Sequence, residues 1–386
     1  MAKDAAARPE IPALTGLRFV AAFLVVLAHT DHFFAAMQPG WLEYAWRVGA
    51  NVGMTTFFVL SGFVIHYNYG HAIVAKGAPA IRSFLVARFA RLYPLYLLAL
   101  LIAVALSPSI FREVAFRQWC WRYLTMSQDW TPTLVDGRFV ATLYIGSAWS
   151  ISAEAGLYIF YLVLATPLNG LESARKTLWA IMMLCIFCLV FVGGYATGLW
   201  LDELPQRDWW FGLSPLGRLP EFLLGALIAQ FFLVTSKAVF HAERHARWIG
   251  LFGVVWIIGL FLACYEYPNL QVVFGFAPGI AAAVYFLARY RSRAAALLDA
   301  PIVFALGDAS YSIYLLHGFA IGYVMRQSPY LSPLPRIAMA WGLTALISIL
   351  TYRYFEAPAR SFIRRTAARV AAVKAGISPR SCDAMR

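Results

Sequence analysis

Residues 14–29 read LTGLRFVAAFLVVLAH, and this stretch decides the class of fold. An unbroken apolar run, residues 19–28, separates Arg18 from His29. A helix needs about 20 residues to cross a bilayer core of about 30 Å, and apolar residues continue here to about Phe34. Because no small-residue cleavage site follows the run, we interpret it as a retained membrane span rather than a secretory signal.

Apolar runs of this kind recur along the whole chain. Hydrophobic residues make up 61% of the sequence and charged residues 13%, whereas a soluble domain averages about 45–50% apolar and about 25% charged. The sequence therefore predicts an all-α fold, a polytopic transmembrane helical bundle of about ten spans. The predicted spans are residues 14–34, 50–69, 84–106, 139–166, 178–200, 216–234, 248–265, 270–288, 304–325 and 335–355.

The distribution of charge predicts the topology. A formal net charge of +13 is typical of nucleic-acid-binding proteins, but here the basic residues fall mainly in short loops on the side of both termini. Positively charged loops stay in the cytoplasm, so we expect cytoplasmic N- and C-termini and no nucleic-acid partner. The expected organisation is a cytoplasmic N-terminal segment, residues 1–13, a transmembrane domain, residues 14–360, and a basic cytoplasmic tail, residues 361–386.

Arg18 and His29 are the first candidate functional residues. Eleven residues of helix rotate the chain by about 1,100° and advance it by about 16 Å, so both side chains share one face about three turns apart. Ionisable groups inside a span face the bundle interior or a wet cavity and mark functional paths, so we expect both to be buried there. Alternatively, Arg18 extends to the interface and His29 makes a structural hydrogen bond.

Two further candidates, Arg88 and Arg91, lie in ARFARLYPLY, residues 87–96. Residues three apart share a face of a helix, and guanidinium groups bind phosphate oxygens in a bidentate manner. The pair therefore predicts a site for an anionic ligand at the cytoplasmic start of a span. The alternative is that both are ordinary loop charges of the positive-inside kind.

Glu154 lies in SAWSISAEAGLYIFY, residues 147–161, with Ser150 and Tyr158 four residues away on either side. A carboxylate inside a span is costly unless it is paired, so we expect Glu154 to pair with Arg18 or to orient His29; a purely structural pairing is the alternative. The histidines lack the spacing of a metal site, which needs three or four converging ligands. We therefore predict no metal and interpret His29 as an acid or base.

Three other polar groups are interpreted as packing or helix-end features. They are the pair Arg218 and Glu221, the group Asp308, Tyr311, Tyr314 and His317, and Glu356 in YRYFEAPAR, residues 352–360.

Taken together, the motifs resemble those of acyltransferase family 3, a family of polytopic membrane O-acyltransferases. The similarity covers about residues 14–360 and rests on seven blocks in order: LTGLRFVAAFLVVLAH, TTFFVLSGFVI, ARFARLYPLY, SAWSISAEAGLYIF, RLPEFLLGALI, GDASYSIYLLH and YRYFEAPAR. Seven ordered blocks are a far more specific signal than any one of them.

The resemblance implies roles for the candidate residues. Arg18 and His29 match the essential Arg-x10-His pair of the family, and Arg88 and Arg91 match its Arg-x-x-Arg motif, which is associated with the acyl donor. Glu154 stands in WSISAE, where the family has a WSLSVE-type block, so the carboxylate is kept despite a mild departure.

The implied activity is transfer of an acyl group, most commonly acetyl, from cytoplasmic acyl-CoA to a hydroxyl of an acceptor. A surface polysaccharide or lipid-linked glycan is the favoured acceptor, and a macrolide-like small molecule is the alternative. The expected location is the cell inner (cytoplasmic) membrane, crossed several times by the chain. Two other functions fit the same residues: a proton-coupled transporter or flippase with Arg18, His29 and Glu154 as a relay, and a non-catalytic sensor or scaffold. Only the acyltransferase would release CoA.

Overall fold

The computed structural model describes residues 8–34, 40–196, 206, 209–235, 242–266 and 274–374. Its helices are α1 Pro12–Ala28, α2 Gly40–Lys76, α3 Ala78–Leu106, α4 Val114–Leu124, α5 Trp149–Asn169, α6 Ala174–Ala196, α7 Pro215–Val234, α8 Ala242–Glu266, α9 Ala277–Arg289, α10 Arg293–Leu298, α11 Pro301–Asp308, α12 Ser310–Gln327, α13 Pro333–Thr351 and α14 Ala357–Lys374. A hairpin of two short strands, β1 Leu134–Val135 and β2 Arg138–Phe139, lies between α4 and α5 and is paired antiparallel.

The helices confirm the predicted class of fold. In the described part of the chain, 7 helical segments are long and apolar enough to cross a membrane, and the pair α11 and α12, bent by 71°, is another candidate. Helices α1 and α9 are shorter apolar helices. Each of these elements corresponds to one predicted segment, so the protein is an all-α polytopic membrane protein. That all ten segments cross, with both termini in the cytoplasm, stays a prediction.

Several segment boundaries differ from those predicted. The first helix ends at Ala28, and a 3-10 turn, Asp31–Phe34, follows it. The fourth span begins at Trp149 instead of residue 139, because the preceding residues form the hairpin and two short 3-10 turns. At the C-terminal end, α13 continues through a π-helical turn, Tyr352–Glu356, into α14, so helix extends past residue 360.

Close contact between α2 and α7 forms the centre of the bundle. A Cβ atom at Gly62 would overlap the carbonyl oxygen of Phe222, and one at Gly225 would overlap the carbonyl oxygen of Val59. The two backbones therefore touch at this crossing. Helices surrounded by lipid associate through such small residues because van der Waals packing, rather than the hydrophobic effect, drives their contact.

Helix α1 packs against α2, α11 and α12 and so lies inside the bundle. Its Ala21, Ala22, Val25 and Val26 are buried with at most 1% exposure. A short helix of small and branched residues can pack closely on several neighbours at once. This position brings the two ends of α1 to the elements that carry the other candidate residues.

The pair Arg218 and Glu221 is structural, as expected. Arg218 Nη1 lies 3.2 Å from Glu221 Oε1, Thr55 donates a hydrogen bond to the same carboxylate at 2.8 Å, and Arg218 Nε donates to the Gly212 carbonyl at 2.8 Å. A buried charge is tolerated when it is paired and hydrogen-bonded in this way. The pair ties the start of α7 to α2.

We predict that Gly62→Ala prevents close approach of α2 and α7. Overpacking a tight contact costs about 1–3 kcal/mol, and here the methyl group meets a backbone carbonyl rather than a flexible side chain. The melting temperature of purified protein in detergent should fall. Gly342→Ala is the control, since a Cβ there meets nothing within 4 Å; an equal effect in both variants would contradict the prediction.

Candidate active site

A cavity of about 90 Å³ lies between α1, α2, α3, α5 and α12. Four of the predicted site residues line it: Arg18, Arg88, Arg91 and Glu154. They come from three helices and are up to 136 positions apart in the sequence, so only the packing of the bundle brings them together. The fifth predicted residue, His29, is not among the lining residues.

Arg18 and Arg88 present cationic groups to the cavity. Among the residues that the structure describes, Arg18 donates no hydrogen bond. Arg88 Nη2 donates a long hydrogen bond, 3.4 Å, to the Tyr69 hydroxyl, and its guanidinium lies over the rings of Tyr69 and Tyr158 at 5.2 and 5.8 Å. The Nε atom of Arg88 is buried without a partner in the same part of the chain. Donor capacity on both arginines is therefore left for a ligand.

Arg91 is held differently. Its Nη1 lies 2.6 Å from Glu356 Oε1, and the Glu356 carboxylate is buried, with 1% exposure. Ser312 donates to the other oxygen of that carboxylate at 2.7 Å, and the Arg91 guanidinium lies over the Tyr311 ring at 5.5 Å. The interpretation of Glu356 as a helix-end feature is therefore incomplete, because its carboxylate anchors one arginine of the Arg-x-x-Arg pair.

Glu154 accepts hydrogen bonds from two hydroxyls, Ser61 Oγ at 2.8 Å and Tyr158 Oη at 2.5 Å. Tyr158 lies one turn further along α5, which is the expected polar stripe. Glu154 shares the cavity with Arg18, but within the described residues it forms neither the expected ion pair with Arg18 nor a contact with the His29 ring; its partners are the two hydroxyls. The carboxylate is thus placed with the arginines, and two hydroxyl donors stabilise its charge at Oε1.

His29 lies at the C-terminal cap of α1 and is exposed. The expectation of burial was wrong because α1 ends at Ala28 rather than continuing to Phe34. Its Nδ1 atom is 2.7 Å from the Val25 carbonyl oxygen. A carbonyl can only accept, so Nδ1 carries the proton, and Nε2 of the neutral ring has a free lone pair.

His317 packs against His29, a contact that sequence reasoning missed. The ring centroids are 4.8 Å apart in an edge-to-face arrangement. His317 is buried, with 2% exposure, and its Nδ1 lies 2.5 Å from the Tyr314 carbonyl oxygen. By the same reasoning its Nε2 carries the lone pair. The available signal was the presence of histidines in two predicted spans, residues 14–34 and 304–325.

Tyr314 connects the cavity to this histidine pair. It lines the cavity, and its ring centroid is 6.0 Å from that of His317. The Tyr314 hydroxyl accepts from Ser150 Oγ at 2.7 Å and donates to the Ser147 carbonyl at 3.0 Å. Since Ser150 is in the first turn of α5, these contacts mark the end of the cavity that the charge distribution predicts to be outward.

Comparison with known families decides what kind of site this is. A family described as acyltransferase domain matches residues 11–353. The chain belongs to this acyltransferase family. It is therefore a membrane acyltransferase, and the cavity with its neighbouring histidine pair is its candidate active site.

Individual relatives agree with the family. The acyltransferase is 27% identical over 339 residues to acyltransferase MdmB of Streptomyces mycarofaciens; the match covers 81% of this chain and 80% of that protein. It is 23% identical over 375 residues to the putative O-acetyltransferase SACOL0978 of Staphylococcus aureus strain COL; the match covers 91% of this chain and 57% of that protein. No solved structure matches.

We predict that Glu356→Gln destabilises the acyltransferase by about 3–5 kcal/mol, because removal of one partner leaves a buried charge uncompensated. The variant should show a lower unfolding midpoint in detergent. Glu172→Gln, which removes an exposed carboxylate, is the control and should match the wild type. A Glu356→Gln protein as stable as the wild type would show that Arg91 does not depend on this carboxylate.

Proposed function

We propose that the acyltransferase moves an acyl group, most simply acetyl, from acyl-CoA to a hydroxyl of a surface polysaccharide or lipid-linked glycan. The observation that carries the proposal is the cavity, in which Arg18 and Arg88 have donor capacity without a carboxylate partner. CoA is an anionic donor with several phosphate groups, and guanidinium groups match phosphate oxygens in geometry and charge. The proposed location is the cytoplasmic membrane, with the cavity open to CoA from inside.

Arg88 and Arg18 would hold the phosphates, while Arg91, already paired with Glu356, would contribute to the positive potential of the cavity. These charges act strongly because the site is shielded from water. Glu154, held by Ser61 and Tyr158, would keep the orientation of these hydroxyls and moderate the excess of positive charge. The acyl-carrying arm of the donor would extend outward along α1 towards Tyr314.

His29 would act at the outward end. Arg18 and His29 are separated by about 16 Å along α1. A donor whose phosphates are held by Arg18 and Arg88 therefore places its thioester well away from those phosphates. In direct transfer, His29 Nε2 takes the proton of the acceptor hydroxyl, and the hydroxyl oxygen forms the ester bond with the acyl group. The thioester bond breaks, and CoA leaves as the thiol after protonation of its sulfur. In a relay through acyl-His29, the same Nε2 attacks the thioester first.

His317 would position His29 for either route. Its buried ring packs edge-to-face against the His29 ring, and both Nδ1 protons are committed to backbone carbonyls. The contact therefore restricts the orientation of the His29 ring and leaves its Nε2 atom free to face the acceptor. Exposure of His29 suits an acceptor that arrives from outside the bundle.

The first test is the activity of His29→Ala in membrane vesicles supplied with radiolabelled acetyl-CoA, with CoA thiol release and label in glycan measured together. Loss of a positioned base lowers the rate by about 10²–10⁴-fold, and we expect kcat to fall with little change in the KM for acetyl-CoA. His71→Ala, at an exposed histidine of α2, is the control. Full activity of His29→Ala would exclude the base and the relay together, and transport without CoA release would indicate a transporter.

The second test concerns the donor site. We expect Arg88→Ala to raise the KM for acetyl-CoA by at least about tenfold, since hydrogen bonds to charged groups contribute about 1.5–3 kcal/mol. Arg82→Ala removes an exposed arginine from the same helix, outside the cavity, and should leave KM unchanged. An unchanged KM in Arg88→Ala would remove the cavity as the donor site.

A further inference from the structure

A wide apolar groove lies between α6 and α8, separate from the active-site cavity. Its floor is formed by α7 and α9, and its volume is about 860 Å³. Leu178 and Met182 line it from α6, Ile228 from α7, Trp248 from α8 and Ala281 from α9. None of its lining residues lines the active-site cavity. We call it the α6–α8 groove.

The helices that flank the groove face outward. Only 11% of the apolar window of α6, and the same share of α8, is buried inside the protein. Helix α6 packs on α7 and helix α8 packs on α9. The groove therefore opens sideways, where an apolar helix in a membrane meets lipid.

The depth of the groove matches one leaflet. On α7 its lining extends from Leu224 to Thr235 and on α9 from Pro278 to Arg289. Each interval corresponds to about 16 Å along a helix, which is about half of a bilayer core of about 30 Å. The lining ends where α7 and α9 end and where α6 and α8 begin, on the side that the charge distribution predicts to be cytoplasmic.

The polar end of the groove is cationic. Arg289 lines it together with Thr235, Tyr285 and Tyr290, and no aspartate or glutamate is among the lining residues. Arg289 is held in place, because Nη2 donates to the Thr235 carbonyl at 2.7 Å and the guanidinium lies 5.5 Å from the centroid of the Phe232 ring. Most of its donors are left for an anion at the mouth of the groove.

Further positive charge surrounds this end. Arg291 and Arg293 follow Arg289 directly and are exposed, and Arg247, also exposed, lies one turn into α8 beside the lining residue Trp248. An apolar channel one leaflet deep with a cationic end is complementary in shape and charge to a membrane lipid with an anionic head. Basic pockets between helices on the cytoplasmic side of a membrane bind such headgroups.

We propose that the α6–α8 groove binds one anionic phospholipid of the cytoplasmic leaflet. Its acyl chains fill the apolar part between α6 and α8, and its phosphate lies against Arg289, with the hydroxyls of Tyr285 and Tyr290 nearby. A guanidinium held at a fixed position suits a phosphate because its donors are already oriented. A lipid tail that crosses both leaflets would require a groove about twice as deep. The bound lipid completes the packing between α6 and α8.

The test measures lipid retained by the full-length protein. The protein is purified in mild detergent, incubated with equimolar phosphatidylglycerol and phosphatidylcholine of the same chain length, and examined by native mass spectrometry. We expect phosphatidylglycerol to be retained over phosphatidylcholine. Arg289→Gln should lower retained phosphatidylglycerol about fivefold, the effect of one basic residue near a lipid headgroup.

Matched variants separate the groove from general surface effects. Met182→Trp fills the groove from α6, whereas Met183→Trp alters the next residue, which is similarly exposed but does not line it. Met182→Trp should lower retention of phosphatidylglycerol and Met183→Trp should not. Arg365→Gln, at an exposed arginine of α14, is the charge control and should retain the wild-type amount.

Two results would overturn the proposal. One is equal retention of the two lipids by the wild type, which would mean that no anionic head is selected. The other is wild-type retention by both Arg289→Gln and Met182→Trp. Because Met182 is exposed on an outer helix, Met182→Trp keeps the proposal testable even if Arg289→Gln fails to fold.

Discussion

An arginine inside a helical bundle surrounded by lipid must find an anion, because the charge cannot be solvated by the hydrocarbon around it. In this acyltransferase the cavity is lined by Arg18, Arg88, Arg91 and Glu154, and Glu356 neutralises Arg91. Glu154 supplies one further negative charge, so the three arginines still leave positive charge in excess. The excess favours an anionic ligand, and the proposed binding of acyl-CoA between α1, α3 and α5 rests on it.

Rigid helices connect this charged cavity to the histidine pair. Helix α1 carries Arg18 near its middle and His29 at its C-terminal cap, and α12 carries Tyr314 and His317 one turn apart. Because α1 and α12 pack on each other, the distance between the anion site and the histidines is set by helix geometry rather than by a loop. Such placement of functional groups on packed helices is more precise than placement on loops.

The outer layer of the bundle differs from this core. Backbone contact at Gly62 and Gly225 brings α2 and α7 together, whereas α6 and α8 bury little of their surface. Apolar side chains on these helices gain nothing by leaving lipid for other apolar side chains. A groove can therefore persist between α6 and α8, and the proposed phospholipid would fill space that the protein itself leaves open.

The sequence alone determined the class of fold and most members of the site. Apolar runs of helical length are sufficient to predict a membrane bundle, since the bilayer imposes that length, and charged groups within such runs identify Arg18, His29, Arg88, Arg91 and Glu154 as functional candidates. Only the tertiary structure decided how these residues are grouped. It placed four of them in one cavity, put His29 at the end of α1 against His317, and paired Arg91 with Glu356 across 265 positions of sequence. Helical periodicity reports which residues share a face of one helix, but it contains no information about which faces of different helices meet; that depends on the packing of all the helices at once.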